Sequence, residues 1–304
     1  MTTATRTDSA PVVTDRRARG NVLTSLVVLF KLRVVSLLLF AALGGAMLAS
    51  AGAPAGDDLA LLLLTGAMSA AGASALNQYV ERFKDGAMKR TRRRPLVTGD
   101  VNPDGALIAA SGMVIGASAI AWAAGNPELA AWLAIGAFIY VGVYTIWLKP
   151  RSVLNVVIGG AAGSAAVIAG GAAVGSWSHP GVLVLAALLF TWSPMHFWSL
   201  ALAYRADYAR ANVPMLPVVM SPRRATFWML VHAAATGAFG LILALDGALG
   251  LLYLVPVGLA TVWLLRESAR LLRDYSGTRA MSVFKASNIY LSLVLLVICV
   301  VTLV

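Results

Sequence analysis

The chain has 304 residues, of which 59% are hydrophobic and 12% are charged, and its formal net charge is +11. A single soluble core stops growing near this length, so this much apolar surface cannot be hidden inside one water-soluble domain. The composition therefore excludes an ordinary soluble protein and indicates that lipid surrounds much of the chain.

Nine continuous apolar stretches are each long enough to cross about 30 Å of hydrocarbon as a helix. They cover approximately residues 21–48, 59–80, 104–124, 129–148, 153–175, 181–204, 225–244, 248–265 and 284–303. These stretches do not alternate between apolar and polar residues, which argues against a transmembrane barrel, and their many Ala and Gly residues suit close helix packing. We therefore predict an all-α membrane bundle of nine transmembrane helices over residues 21–304, preceded by a flexible tail of residues 1–20.

The distribution of charge predicts the orientation, because cytoplasmic loops of membrane proteins collect Lys and Arg. With the N-terminus inside, all 24 Lys and Arg fall in the tail, at the cytoplasmic edge of the first span, or in the second, fourth, sixth and eighth connections. The opposite side holds acids such as Asp57 and Glu128. We predict a multi-pass protein of the cell (inner) membrane with a cytoplasmic N-terminus and an external C-terminus, whose charge meets anionic lipid and not nucleic acid.

The second connection carries the strongest local pattern. Asn77, Glu81 and Asp85 recur every four residues, which on a helix stacks three oxygen ligands along one face. Mg²⁺ commonly binds one or two carboxylates together with substrate phosphates, and Arg90 and Arg94 follow closely in a basic cluster. The pattern indicates a bound polyphosphate. The alternative is a solvated helix end, although acids at a helix C-terminus oppose the macrodipole.

The sixth connection offers a second candidate site. His196 and Asp207 lie eleven residues apart, about three turns and about 16 Å along an α-helix, so they share a face if the helix is unbroken. A single Asp at a helix end is usually only a solvated residue. The predicted topology nevertheless puts it on the same side of the membrane as the first motif.

Other polar residues of the spans lie near the same predicted side. Lys31 and Arg33 are at the edge of the first span, and Lys149 and Arg151 follow the fourth. Lysines near helix ends also extend to the headgroups without any catalytic role. Asn155 is a polar residue in an apolar helix, where a hydrogen bond to another helix explains it as well as contact with a ligand does.

Together these residues resemble the intramembrane aromatic prenyltransferase superfamily, and within it the branch that farnesylates haem. The resemblance spans most of the chain and is carried by the residues and runs Asn77 to Asp85, Arg90-Thr91, Arg94-Pro95-Leu96, Tyr144, Leu148-Lys149, Asn155, Pro194-Met195-His196-Phe197-Trp198, Asp207-Tyr208, Pro214-Met215-Leu216-Pro217, Phe284, Ser287 and Tyr290-Leu291. The His-Phe-Trp run, followed by Asp-Tyr and Pro-Met-Leu-Pro, is typical of the haem branch.

The resemblance implies a membrane prenyltransferase domain in which Mg²⁺ holds farnesyl diphosphate and the farnesyl group joins a vinyl carbon of haem B to make haem O. It implies a set of metal-binding and catalytic residues: Asn77, Glu81, Asp85 and Asp207. It implies a set of diphosphate-binding residues: Lys31, Arg33, Arg90, Arg94, Lys149 and Arg151. It implies a set of acceptor or pocket residues: Tyr144, Asn155, His196, Phe197 and Trp198. His196 either ligates haem iron or hydrogen-bonds a neighbouring span.

Some positions depart from the family's usual pattern. Glu81 stands where Asp is usual, which keeps the charge, and Lys84 stands near a position that is more often acidic. Leu32 lies between Lys31 and Arg33, where Pro is common. The absence of an acid near Lys84 bears on the binding of a second metal ion more than on the binding of the first.

Three alternatives remain at this stage. A prenyltransferase acting on a quinone precursor would share the metal and diphosphate residues but not the His-Phe-Trp run. A transporter would place its site near the bilayer midplane on broken helices of inverted repeats, whereas these charges crowd one interface. An assembly protein would not need acids spaced by four. The hypothesis that the chain farnesylates haem also allows a downstream haem-modifying enzyme as a partner.

Overall fold

The computed structural model describes residues 22–50 and 52–304, so the predicted tail of residues 1–20 lies outside the described residues. Within these two ranges the chain forms helices and connecting turns, with no β-strand. Nine of the described helices are long and apolar enough to cross a membrane. The all-α bundle of nine spans is confirmed.

Short helices at the connections accompany the spans. In chain order the elements are α1 (Val22–Leu29), α2 (Leu32–Ser50), α3 (Gly56–Gly86), α4 (Pro95–Thr98), α5 (Pro103–Ala123), α6 (Pro127–Phe138), a π-helix (Ile139–Leu148), α7 (Asn155–Gly159), α8 (Ala161–Ala173), α9 (Pro180–Ala203), α10 (Arg205–Arg210), α11 (Leu216–Val219), α12 (Pro222–Ile242), a 3₁₀-helix (Leu243–Leu245), α13 (Gly250–Arg273) and α14 (Gly277–Val301). The fourth span is α6 together with the π-helix, and the fifth is α7 together with α8.

One end of the bundle, which we call the basic face, consists of the start of α2 and the connections at residues 87–102, 149–154, 204–221 and 274–276. The Lys and Arg residues of the described chain lie there or within about two and a half helical turns of it. The opposite end carries acids such as Asp57, Glu128 and Asp246. This segregation is the charge pattern of a multi-pass membrane protein, and which face is cytoplasmic stays a prediction.

Small residues allow the spans to approach closely, as the crossing of α2 and α8 demonstrates. A Cβ atom on Gly170 would lie 1.8 Å from the carbonyl oxygen of Ala42, and one on Gly45 would lie 2.2 Å from that of Val167. Neither position accepts a side chain without separating the helices. This close packing, which is characteristic of helices in lipid, fixes α2 against the centre of the bundle.

The first span differs from the sequence prediction, which treated residues 21–48 as one helix. The helix is interrupted at Lys31, whose φ of 49° lies in the left-handed region, so that α1 is a separate element. The Nε2 atom of Gln78 donates to the carbonyl oxygens of Val28 and Leu29 at 2.9 and 2.6 Å. The side chain of Gln78 therefore bonds carbonyl groups at the interruption, where the carbonyl of Val28 otherwise accepts only a long 3.4 Å bond from the N–H of Lys31.

Two other boundaries bear on the site. Helix α3 continues to Gly86, beyond the predicted end at residue 80, so Glu81 and Asp85 belong to a regular helix. The helix that carries His196 ends at Ala203, and Tyr204, with φ −112° and ψ 32°, separates it from α10. The helix between His196 and Asp207 is therefore broken, so the expectation that the two residues share a helix face does not hold.

Candidate active site

Two buried carboxylates stand one turn apart near the end of α3. Glu81 is 8% exposed and Asp85 is 4% exposed. The Oε1 atom of Glu81 lies 2.5 Å from the Nζ atom of Lys149, and the Oδ2 atom of Asp85 lies 2.6 Å from the Nη1 atom of Arg94. The two ion pairs line a single cavity at the basic face, which we call the acid–base cavity. Buried charges are stable only when paired in this way.

The segment after α3 folds back over the helix end and thereby delivers Arg94. The hydroxyl of Thr91 donates to the backbone carbonyl of Asp85 at 3.0 Å. Arg94 then occupies the N-cap position of α4, whose first residue is Pro95, a position that suits proline because no backbone N–H is needed there. The run from Arg90 to Pro95 is therefore a turn that brings one cation onto Asp85.

Asn77 lies one turn deeper on α3 and is held on both sides. Its Oδ1 atom accepts a hydrogen bond from Lys31 at 2.6 Å, and its Nδ2 atom donates to Thr145 at 3.0 Å. The same ammonium group donates to the hydroxyl of Tyr140 at 3.1 Å. The interruption at Lys31 thus places a lysine that directly precedes the first span beside the second and fourth spans.

The π-helix at residues 139–148 supplies the opposite wall of the site. Its hydrogen bonds join residues five apart, as from the backbone N–H of Lys149 to the carbonyl of Tyr144 at 2.8 Å. Nine residues separate Tyr140 from Lys149, about two and a half turns of an α-helix, which would put them on opposite sides. The wider turn brings both toward α3, where Tyr140 meets Lys31 and Lys149 meets Glu81.

The two lysines of the site, both outside the membrane-spanning segments, experience opposite electrostatic effects. Burial, reinforced by the positive charge of Arg94, lowers the pKa of Lys31 to about 7. Burial also acts to lower the pKa of Lys149, but the carboxylate of Glu81 together with Tyr144 and Tyr208 outweighs it and raises the pKa above its ordinary value. Lys149 is therefore held as a cation, whereas Lys31 needs a further anion to hold its proton.

The oxygen atoms of α3 fit a hard divalent cation. Among the described residues no group of three or more His, Cys, Asp and Glu side chains gathers as a metal centre. Glu81 and Asp85 instead supply two carboxylates on one face of a helix, with the amide of Asn77 one turn away. Mg²⁺ commonly takes one or two carboxylates and leaves its other positions to water and phosphate, which is the composition that this set allows.

The other predicted charged residues lie in different surroundings. Asp207 is buried and pairs with Arg210 on its own helix α10, while its neighbour Tyr208 lines the acid–base cavity. Arg90 also lines that cavity. Two predicted diphosphate-binding residues are exposed: Arg33, and Arg151, whose guanidinium donates to the carbonyl oxygens of residues 146 and 147.

A second cluster, which we call the aromatic cluster, surrounds His196. Its imidazole lies between the rings of Trp192 and Phe284, with ring centroids 4.1 and 4.5 Å away. The hydroxyl of Ser287 donates to the carbonyl of Phe284 at 2.7 Å, and so accepts from the Nδ1–H of His196 at 2.8 Å. This arrangement leaves the lone pair on Nε2, the ring nitrogen that points away from Ser287.

The remaining predicted pocket residues divide between the two clusters and the core. Phe197 meets the ring of His196 edge-on at 5.2 Å, whereas Trp198 is buried against His232 instead. Tyr144 stacks on a neighbouring tyrosine of the π-helix, and Lys149 lies over its ring. Asn155 is fully buried; its Nδ2 atom donates to the carbonyl of residue 152, and its Oδ1 atom has no hydrogen-bond partner among the described residues.

Sequence reasoning missed several residues that complete the site. Thr145 was not singled out, although its position five residues after Tyr140 matches the hydrogen-bond spacing of a π-helix. The stacking of Phe284 on His196 joins residues of two distant spans, and no local pattern indicates such a contact, whereas Trp192 stands four residues before His196 on the same face of α9.

The fold and site define a polytopic membrane protein that has paired acids and bases at one face and an aromatic cluster beside them. Residues 37–294 match the UbiA prenyltransferase family, and the chain belongs to this family. It is 42% identical to the protoheme IX farnesyltransferase of Frankia casuarinae, with 95% of this chain and 99% of that protein covered. The Metallosphaera sedula protein of the same name is 38% identical, with 89% and 93% covered.

The protoheme IX farnesyltransferases of Thermus thermophilus match over 87% of this chain at 41% identity, but the chain spans only 44% of their length. Solved structures share the fold. A digeranylgeranylglyceryl phosphate synthase superimposes with a TM-score of 0.76 at 15% identity, covering 92% of this chain and 98% of that one. A UbiA homolog from Archaeoglobus fulgidus bound to GPP and Mg²⁺ has a TM-score of 0.63 at 18% identity, covering 90% and 99%.

Proposed function

We propose that this protein transfers the farnesyl group of farnesyl diphosphate to a vinyl group of protohaem IX. The family and the names of relatives about 40% identical over most of the chain support this activity. The observation that carries the chemistry is the pairing of two buried acids with two bases around one cavity. Such a site suits the departure of a highly charged leaving group.

Glu81 and Asp85 are the proposed ligands of Mg²⁺, with Asn77 beside them. An Archaeoglobus fulgidus homolog with this fold binds GPP and Mg²⁺, which supports a metal-held prenyl diphosphate here. Bound there, Mg²⁺ neutralises charge on the diphosphate while the bond between the diphosphate oxygen and the allylic carbon breaks. Lys149 and Arg94, which pair with these two carboxylates, would then face the phosphate oxygens as cations.

The cations around the cavity stabilise the charge that develops on the diphosphate. Lys149 and Arg94 line the cavity together with Arg90, and Lys31 stands one turn deeper beside Asn77. Because these groups are positioned before the reaction begins, little reorganisation is needed when the C–O bond breaks. The bond's electron pair leaves with the diphosphate.

The allylic fragment needs a dry surface rich in ring faces. Tyr140 and Tyr144 stack with ring centroids 5.9 Å apart, directly below Lys149. Ring faces attract cations, and an apolar wall keeps water from quenching the fragment. We propose that the farnesyl chain passes along this tyrosine pair toward the centre of the bundle.

The acceptor step balances with water as the only additional reactant. The terminal vinyl carbon of protohaem IX forms the new bond to the allylic carbon, and the adjacent carbon then takes the oxygen of water as one proton is released. We assign the aromatic cluster around His196 to the acceptor side, because its flat rings and its Nε2 lone pair suit a planar metal-containing tetrapyrrole.

The test is to express the chain in a bacterial membrane that lacks its own haem farnesyltransferase and to analyse the extracted haems by mass spectrometry. We expect the hydroxyethylfarnesyl product from the wild type and none from Asp85→Ala, because this substitution removes a metal ligand. Asp104→Ala, which changes an exposed acid at the same face, serves as the matched control and should keep activity. Absence of product from an inserted wild-type protein that binds farnesyl diphosphate with Mg²⁺ would point to a quinone-type acceptor.

A further inference from the structure

A groove outside the acid–base cavity opens at the basic face, between the end of α9 and the first turns of α14. It has a volume of about 410 Å³ and is lined by Ala203 and Tyr204 on one side and by Thr278, Met281, Ser282 and Lys285 on the other. A Cβ atom on Gly277, which also lines the groove, would lie 3.7 Å from the carbonyl oxygen of Ala203, so the helix ends meet at the base of the groove. Its volume is in the range of small-molecule sites.

The polar lining of the groove suits an anion. It offers one ammonium group and three hydroxyls, and none of the described residues that line it is acidic. Thr278, Ser282 and Lys285 follow one another on a single face of α14. Within the described chain Lys285 makes no ion pair, whereas Lys149 and Arg94 each hold an acid.

The position of the groove connects it to both parts of the proposed active site. Phe284, which stacks on His196, directly precedes Lys285 on α14. Tyr204 follows His196 by eight residues, about 12 Å along the helix, and comes four residues before Tyr208, which lines the acid–base cavity. The groove and the aromatic cluster therefore lie on the same two helices, α9 and α14, with the groove nearer the basic face.

We propose that this groove binds the two propionate carboxylates of the acceptor, with Lys285 as their ionic partner and the hydroxyls of Tyr204, Thr278 and Ser282 as hydrogen-bond donors. This inference rests on the proposed function. Protohaem IX carries its propionates on one edge and its vinyl groups on other positions. Holding the charged edge at the basic face orients the apolar remainder toward the aromatic cluster and the allylic fragment.

An isolated lysine at a membrane surface commonly extends to the lipid headgroups, and a lipid phosphate would satisfy the same ammonium group. The groove favours the acceptor because it places three hydroxyls near the cation and lies on the two helices that carry the stacked aromatic rings. A headgroup site needs neither feature. The two ligands differ in one testable respect, since only the acceptor can be offered with its carboxylates esterified.

The experiment measures the binding of protohaem IX and of its dimethyl ester to the purified full chain in nanodiscs, followed through the haem absorbance. We expect the wild type to bind the free acid about fivefold more tightly than the ester, the magnitude of an exposed ion pair. Lys285→Gln should bind both forms with the affinity that the wild type has for the ester. Lys285→Arg should restore the preference, and Lys89→Gln, an exposed lysine elsewhere on the basic face, should not change it.

The outcomes separate this inference from the proposed function. If the wild type binds neither form, the proposed acceptor is wrong, and the inference is wrong with it. If the wild type binds both forms and Lys285→Gln keeps the same preference, the groove does not hold the propionates while the proposed function stands. If Lys285→Gln binds protohaem IX as the wild type does but retains less anionic lipid, the groove is a headgroup site. Mg²⁺-dependent binding of farnesyl diphosphate should be equal in all these proteins.

Discussion

The acid–base cavity lies at the basic face and the aromatic cluster lies about two turns inside α9, and different forces hold the two together. In the cavity, buried carboxylates are matched to cations from separate elements, as Glu81 is to Lys149. In the cluster, His196 is held by ring faces and by one hydroxyl. Removing one member of a buried ion pair leaves an uncompensated charge, whereas removing one contact of a stacked ring leaves the others in place. Substitutions should therefore have larger effects in the cavity.

The largest effect is expected from Glu81→Gln, which keeps the size of the side chain and removes its charge. We expect farnesyl transfer to fall roughly 10²- to 10³-fold, as when one preorganised electrostatic contact is lost, and the Mg²⁺ concentration needed for half-maximal activity to rise. The measurement is the rate of product formation by purified protein across an Mg²⁺ series, with thermal unfolding as the control for folding. Wild-type activity at ordinary Mg²⁺ would remove Glu81 from the metal site.

An intermediate effect should distinguish two arginines that the sequence treated as equivalent. Arg94→Gln removes the partner of Asp85 and a cation of the cavity, so we expect transfer to fall about 10- to 100-fold, the worth of a charged hydrogen bond. Arg151→Gln changes an exposed residue that bonds only carbonyl groups and should alter the rate less than about twofold. Steady-state rates of the two variants at saturating farnesyl diphosphate provide the comparison. Equal losses would show that the exposed arginine also serves the diphosphate.

The smallest effect is expected in the aromatic cluster. Ser287→Ala removes the hydroxyl that holds His196, so we expect the KM for protohaem IX to rise about two- to tenfold, the value of one neutral hydrogen bond. The KM for farnesyl diphosphate should not change, because the cavity is untouched. Ser292→Ala, an exposed serine on the same helix, is the matched control. A loss of kcat without a change in the acceptor KM would assign the hydroxyl to chemistry and not to binding.

The sequence was most informative where one helix carries the whole pattern. The spacing of Asn77, Glu81 and Asp85 predicted three oxygen ligands on one face, and all three lie on α3. Continuous apolar runs predicted the nine spans because lipid imposes a length on each helix. These features depend on local periodicity, which a sequence displays directly.

Features that depend on contacts between distant spans could not be predicted. The interruption at Lys31 is stabilised by Gln78 of the next span, and the apolar residues around it are equally compatible with one continuous helix. The separation of His196 from Asp207 depends on the backbone conformation of Tyr204. The sequence could not distinguish Arg94 from Arg151, because both arginines follow a span on the same predicted side. Only the turn at Thr91, which brings Arg94 to Asp85, separates the two.

The π-helix makes the site and its scaffold dependent on each other. This backbone form is uncommon over ten residues, because the α-helix normally has the better hydrogen-bond geometry. Here it is accompanied by contacts from Lys31 to Tyr140, from Asn77 to Thr145 and from Glu81 to Lys149. A substitution on α3 can therefore act as a register change in the fourth span, rotating Lys149 away from the cavity even though the lysine itself is unaltered.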